Sequence, residues 1–280
     1  MKASEINSQD TKWVFIKKGT CSRTFFYILD REFGHPLDDE EQAIDLLAGG
    51  ILQQGYQCGI LWGASMAVGA EAFRRIEDRD QAIGLAISAT GHLIESFTKR
   101  TGTMDCEDIT KTDFNNKKSF AKFMVSGKFI SCFKLSDKWA PEAIAAAKEG
   151  LSIAPAELPD KSKSCASELV RKMGGSDAEI MLVAGFAGGL GLKGSGCGAL
   201  AAAIWKSTLE LIRKEPKKSL TKNPKAEKMV EAFYEETDFE MACSKICGQS
   251  FKNIEDHTAF VEDGGCKKLI DRLAAFNAVS

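Results

Sequence analysis

A fourteen-residue stretch occurs twice in this chain. The first copy, Ala48-Gly49-Gly50-Ile51-Leu52-Gln53-Gln54-Gly55-Tyr56-Gln57-Cys58-Gly59-Ile60-Leu61, returns 139 residues later as Ala187-Gly188-Gly189-Leu190-Gly191-Leu192-Lys193-Gly194-Ser195-Gly196-Cys197-Gly198-Ala199-Leu200. Seven of the fourteen positions are identical, and five of those are glycines or the cysteine of a Cys-Gly pair. Glycines held at fixed offsets mark tight turns or close backbone approach. Each copy therefore predicts a helix end, a glycine-rich loop and a new helix opening at a cysteine. In 280 residues a repeat offset of 139 favours two units of ordinary domain size over one large domain.

The flanking periodicity is helical almost throughout. Thr20-Cys21 opens an apolar run that Gly34-His35-Pro36 stops, and Asp38-Asp39-Glu40 put negative charge at the start of a helix that ends at Gly49-Gly50. Cys58 to Arg75 and Cys197 to Arg213 read as long helices, the first with Gly59 and Gly63 on a face that admits another helix. Asp78 to Lys99 follows, then a turn at Cys106, then Ser131-Cys132 leading into a helix over Trp139 to Gly150 with Pro141 near its start. In the second half, Ser176 with Glu179 and Thr237 with Glu240 read as capping boxes, and Asn223-Pro224 as a helix start. The second box sets Cys243 and Cys247 on one face, and Gly264-Gly265 introduces Cys266 and a terminal helix.

The expected architecture is all-α: two tandem, pseudo-symmetric helical domains, each a small bundle around its glycine-rich cysteine loop. The units are 1–151 and 161–280, joined by a linker at 152–160, and packed through their Gly/Ala-rich long helices.

Composition excludes several functions. Formal net charge is −2 with no basic stripe, which argues against nucleic acid, and the Lys-rich 213–225 stretch reads as a solvated loop. Ile180–Leu192 and Cys197–Trp205 are too short for a bilayer span of roughly 20 residues, and Met1 to Lys12 lacks a secretory apolar core. The expectation is a soluble cytoplasmic protein without membrane insertion. In that compartment nine cysteines point to catalysis or metal binding rather than to a disulfide framework.

Set against each other, the halves bring the cysteines into register: Cys21 with Cys165, Cys58 with Cys197, Cys106 with Cys243, Cys132 with Cys266. Cys247 stands alone. A cysteine serving only as a small hydrophobe exchanges freely with Ala or Val, so retention of all four pairs argues for chemistry.

This ordered set, with Gly196-Cys197-Gly198-Ala199-Leu200 at its centre, resembles the C-GCAxxG-C-C family of redox-active proteins. The second half matches better. In the first, Gln57-Cys58-Gly59-Ile60-Leu61 lacks the Gly before the cysteine and the Ala after Cys-Gly. The resemblance implies redox activity, and an iron–sulfur centre is attributed to the related split-Soret cytochromes. No Cys-x-x-Cys-His is present, so covalent haem attachment is not expected.

A thiol in the first turn of a helix sees the positive end of the macrodipole, which favours the thiolate needed for either disulfide exchange or metal binding. The number four favours a cluster or zinc, since exchange needs only two. One iron–sulfur cluster per half would be held by Cys165, Cys197, Cys243 and Cys266, and by Cys21, Cys58, Cys106 and Cys132. The alternatives are thiol–disulfide chemistry at Cys197, Cys58, Cys243 and Cys247, or a zinc-stabilised helical scaffold. A redox partner protein or oxidoreductase subunit is implied, and the small-residue faces suit a homo-oligomer. His35, His92 and His257 read as structural, with His257 in a polar connection, and Trp62 and Trp205 as core. Gly188-Gly189-x-Gly191-x-x-Gly194 mimics a nucleotide loop, but no strand precedes it, so no nucleotide is expected.

Overall fold

The computed structural model describes residues 11–114, 116–215 and 223–277. Its α-helices in the first half are α1 Thr11–Lys18, α2 Cys21–Glu32, α3 Asp38–Ala43, α4 Gly59–Arg75, α5 Arg79–Thr101, α6 Cys106–Thr110, α7 Lys117–Val125 and α8 Phe129–Gly150. The second half contributes α9 Cys165–Lys172, α10 Asp177–Leu182, α11 Gly198–Lys214, α12 Pro224–Glu236, α13 Cys243–Ile246, α14 Ile254–Glu262 and α15 Lys267–Ala274. Short 3-10 turns, Ile44–Leu47 and Ala184–Phe186, lead from α3 and α10 into the two glycine loops. Among the described residues there is no strand. The extended pairing among the described residues is one isolated bridge per half, Gln57 with Asp105 and Gly196 with Ala242.

Local chemistry explains most boundaries. Asp78 caps α5 by accepting from the Gln81 N–H at 2.9 Å, and Gly102 closes that helix in the left-handed region. Ser176 and Glu179 form the expected capping box on α10. The anticipated box at Thr237 and Glu240 is a different device. The Thr237 hydroxyl donates to the Phe233 and Glu240 carbonyls at the end of α12, while the Glu240 carboxylate accepts from the N–H groups of Met241 and Ala242. Pro141 also departs from expectation. It lies inside α8, which starts earlier, at Phe129, and continues past the proline, with Trp139 packed between Phe25 and Phe97. Helix α14 forms where a polar connection is expected, and α7 adds a helix between the Cys106 turn and α8. The Lys-rich 213–225 stretch lies largely on residues 216–222, outside the described ones.

Gly63 on α4 lets α2 approach closely, since a methyl there would stand 2.0 Å from the Ser22 carbonyl oxygen. The long helices, however, do not take one another as main partners. Helix α4 packs on α10 of the other half, where Gly69 meets the Met181 and Leu182 carbonyls, and α11 packs on α3. These contacts are reciprocal, because α3 and α10 occupy the same place in the two halves. The Trp205 indole donates to the Glu40 carbonyl at 3.3 Å, and Trp62 meets Phe186 edge-on at 4.7 Å, both across the halves. A single hydrophobic core runs through both units as a consequence. The halves pack through their long helices, as expected, and do so by an exchange in which each long helix covers the other half's approach to its glycine loop.

Candidate functional site

Every repeated cysteine lies at the beginning of a helix. Cys21 and Cys165 are the first residues of α2 and α9, Cys106 and Cys243 of α6 and α13, while Cys58 and Cys197 are the N-caps of α4 and α11. Cys266 is the N-cap of α15, and Cys132 lies in the first turn of α8. The isolated bridge of each half holds the third cysteine beside the central one. The Cys106 N–H donates to the Tyr56 carbonyl at 2.7 Å and that of Cys243 to the Ser195 carbonyl at 2.7 Å, followed by Glu107 to Gly55 and Ser244 to Gly194, each at 2.9 Å.

The glycine loops themselves are left-handed. Gly49, Gly50, Ile51, Leu52 and Gln53 all have positive φ, as do Gly188, Gly189, Leu190, Gly191 and Leu192. Each non-glycine residue in that region costs about 1–2 kcal/mol, so both loops store strain beside the cysteines, three residues' worth in the first and two in the second. The geometry is over-determined from outside. A side chain at Gly50 would strike the Tyr56 backbone at 2.3 Å, and one at Gly189 would strike the Ser195 carbonyl and the Cys243 Cβ at under 3 Å. The turn aims the Gly49 N–H at the Cys21 sulfur and the Gly188 N–H at the Cys165 sulfur.

Around these donors the thiols gather. In the first half Cys58 lies between Cys21 and Cys106, in hydrogen-bond contact with both, and Cys132 lies near Cys21 and Cys58. In the second half Cys197 and Cys266 face Cys165, Cys243 feels all three, and Cys247 contacts both Cys243 and Cys266. The Cys243 and Cys247 sulfurs are 3.8 Å apart. All nine thiols are free. Five are buried, and Cys21, Cys132, Cys247 and Cys266 are half-buried. Two sets of four cysteines that are tens of residues apart in sequence are thus neighbours in space, and the unpaired Cys247 joins the second set.

Electrostatics reverse the expectation of ready thiolates. The hydrogen bond to Cys58, with burial, raises Cys21 well above the ordinary thiol range, and the hydrogen bond to Cys106 does the same for Cys58. Burial raises Cys165 and Cys197, and it pushes Cys132 up to about 12. A hydrogen bond from Cys247 pulls Cys243 down, yet burial and three neighbouring thiols leave it raised. Cys247 is pushed up to about 12 by its hydrogen bond to Cys243, and Cys266 is raised by its bond to Cys247. The helix N-terminus does favour thiolate, but removing a sulfur anion from water beside other sulfurs costs more. Left to themselves these eight thiols stay protonated.

The two pockets meet through a residue the sequence reading treated only as a departure from the family pattern. Gln57 is fully buried, and its amide donates across the halves to the carbonyls of Gly189 at 3.0 Å and Gly196 at 3.3 Å. Gln57 and Gly196 are equivalent positions, each directly before a central cysteine. A methyl on Gly196 would lie 2.5 Å from the Gln57 Oε1. The Ser195 hydroxyl donates to Asp105 at 3.1 Å, and the Tyr234 hydroxyl bonds with the Gln54 side chain at 3.0 Å, so each loop leans on the other half. The signal in the sequence is a polar residue, Gln57, directly before a central cysteine where the second copy has Gly196.

Among the described residues no three or more His, Cys, Asp or Glu side chains are disposed as a ready-made metal chelate, and no helix is long and apolar enough to cross a membrane. His257, expected in a polar connection, is a buried residue of α14. Its Nδ1 bonds with the Lys163 carbonyl at 3.0 Å and its ring meets Phe251 edge-on. No curated protein and no solved structure matches the chain. A model of the C_GCAxxG_C_C family, described as "Putative redox-active protein", matches residues 20–142 and again 162–278.

Proposed function

The chain belongs to the C_GCAxxG_C_C family in two tandem copies, and from that premise we propose that each copy holds an iron–sulfur cluster on its four repeated cysteines and that the protein transfers electrons. The observation that carries this reading is the convergence of four helix-start thiols per half, with a backbone N–H from the strained loop directed at the first of them. The donor set fits. Four soft sulfur ligands in a water-poor pocket match the chemistry of iron–sulfur centres and structural zinc. The raised thiols fit as well, since metal binding displaces their protons and supplies the positive charge that a buried sulfur cluster otherwise lacks. Binding draws the sulfurs from pairwise contact onto a common centre, which accounts for the missing ready-made chelate.

A cluster supplies one-electron storage, and the chain supplies its setting. Cys58, Cys197, Cys106, Cys165 and Cys243 are buried and exclude water. The Gly49 and Gly188 N–H groups donate to sulfur, which stabilises the reduced, more negative state and raises the potential. Cys132 and Cys266 are half-exposed and give each pocket an edge toward a redox partner protein. A reducing, cytoplasmic compartment keeps nine such thiols free.

Thiol–disulfide exchange is favoured by one observation, the 3.8 Å approach of Cys243 and Cys247. It is disfavoured for the repeated set, because buried protonated thiols are weak nucleophiles. Iron, zinc and acid-labile sulfide analysis with a visible spectrum, on anaerobically purified protein, tests the proposal. Iron and sulfide with visible absorption are expected. A colourless protein whose thiols titrate freely or cycle as disulfides overturns it in favour of exchange chemistry.

A further inference from the structure

The second pocket contains one sulfur more than its pattern requires. Counting four residues on from the third cysteine of each set gives Thr110 in the first half and Cys247 in the second. Thr110 is buried and its hydroxyl donates to the Cys106 carbonyl at 2.8 Å, an inert local bond. Cys247 lies instead at the end of α13, half-exposed, with its sulfur 3.8 Å from that of Cys243 and in contact with Cys266.

We propose that Cys243 and Cys247 form a reversible disulfide that withdraws Cys243 from the second pocket, a redox switch that the first pocket lacks because Thr110 stands in the place of Cys247. The effect on a bound cluster rests on the function proposed above, whereas formation of the disulfide does not.

Three features make this pair the one that closes. A disulfide needs its sulfurs at about 2.05 Å with the Cβ atoms about 3.8 Å apart; residues four apart on one helical face start with Cβ atoms about 5–6 Å apart, so side-chain rotation turns the sulfurs together and a local backbone shift closes the rest. The helix that carries them is a single turn, Cys243–Ile246, stopped by Gly248 at a φ of +67°, so the backbone yields locally without unwinding a longer element. Cys247 is also the more exposed member and receives the oxidant, while Cys243 is buried behind it.

The oxidant is a low-molecular-weight disulfide. The Cys247 sulfur, giving its proton to solvent, attacks one oxidant sulfur. That forms a mixed disulfide and expels one thiol. The Cys243 sulfur then attacks the Cys247 sulfur, loses its own proton and expels the second thiol. The protein dithiol is oxidised by two electrons and the oxidant disulfide is reduced to two thiols. Cys165, Cys197 and Cys266 remain, one short of the four-sulfur set.

The test uses the full chain, reduced and metal-free, equilibrated without oxygen in buffers of reduced and oxidised glutathione, after which free thiols are alkylated. Trypsin cuts after Lys245, between the two cysteines, so the disulfide appears in a mass spectrum as peptides 229–245 and 246–252 joined. The joined species is expected as the glutathione disulfide fraction rises, with the four cysteines of the first half still fully alkylated. It disappears in Cys247→Ser and Cys247→Thr variants of unchanged helicity. Joining of Cys247 to Cys266, a disulfide in the first half at the same glutathione ratio, or closure only when the protein unfolds overturns the proposal.

A second arm loads the protein with iron and sulfide and repeats the oxidation. Wild type then loses about half its visible absorbance while Cys247→Thr retains it. Equal loss in both overturns the switch. If neither protein takes up iron, the cluster reading fails while the peptide result still decides the disulfide.

Discussion

Before Cys58 the first half carries Gln57, and before Cys197 the second carries Gly196, so two equivalent positions that touch each other hold residues of very different size. Judged alone, the first copy looks like the eroded one, since it departs from the glycine pattern. The contact shows a different logic. The Gln57 side chain occupies space that Gly196 leaves open, and its amide satisfies two carbonyls of the opposing loop. A second glutamine at 196 would have to enter occupied space. Fusing two copies into one chain frees equivalent positions to diverge as complements, and the same freedom produced Thr110 against Cys247. The halves therefore differ where they meet and where the thiols are counted, while the four cysteines and the left-handed turn stay common to both.

The comparison breaks most visibly at the central cysteines. Cys58→Ser and Cys197→Ser should each remove about half of the bound iron and labile sulfide with little change in far-UV circular dichroism, because each serves one pocket. Loss of all iron from either variant would mean that the pockets assemble only together. Unfolding without any loss specific to one pocket would assign the cysteines to packing.

Next come the glycines that follow them. A methyl on Gly198 would lie 1.9 Å from the Phe186 carbonyl oxygen, whereas one on Gly59 would lie 2.7 Å from the Cys21 sulfur, which can rotate, and 2.9 Å from the Ala48 Cα, a milder backbone clash. The deeper overlap with backbone is the costlier case, so Gly198→Ala should lose about 3 kcal/mol or more of stability and Gly59→Ala about 1–2 kcal/mol. Denaturant melts of the two variants decide the order, and equal losses would show that the Cys21 side is as rigid as the Phe186 side.

Acid should separate the halves as well, through His257, which has no role in the first. Burial, only partly offset by its bond to the Lys163 carbonyl, lowers its pKa to about 4. The unfolded chain binds this proton below about pH 6.5 and the folded one only near 4, so stability is present above that window and lost as pH falls through it, by up to about 3 kcal/mol. His257→Phe should flatten the pH dependence of the melting temperature between pH 6.5 and 4. An unchanged slope would assign the acid sensitivity to other groups.

These predictions also mark what the sequence made legible. The repeat, the helix starts at Cys21, Cys58, Cys197 and Cys266, and the pairing of eight cysteines follow from local patterns such as Gly-Gly, Cys-Gly and capping residues, all of which act within a turn or two. The exchange of long helices between halves does not, because it depends on which faces of α4 and α11 meet α10 and α3 after folding. Nor does the protonated state of the thiols. The helix-start rule is local and favours thiolate, while the opposing cost comes from burial and from sulfurs brought together by distant segments. Helix α14 was missed because a polar run conceals buried His257 and Thr258, and Pro141 misled because tertiary packing of Trp139 carries α8 through it.

The smallest effect, and the sharpest on the comparison itself, belongs to Gln57. Replacing it with glycine restores the repeat pattern on both sides but leaves the Gly189 and Gly196 carbonyls without their donor and opens a space where the amide stood. Unpairing buried carbonyls costs about 1–3 kcal/mol, and the Gln57 Oε1 itself has no hydrogen-bond partner among the described residues, so deleting the side chain relieves one unsatisfied atom while creating two. The net should be a loss of about 1–2 kcal/mol in Gln57→Gly. Gln57→Leu, which keeps most of the volume without the donor, isolates the hydrogen bonds: if it matches Gln57→Gly the donor dominates, and if it matches wild type the space does. Gln57→Gly as stable as wild type would show that the two halves need no complement at their centre, and the asymmetry between them would then be drift.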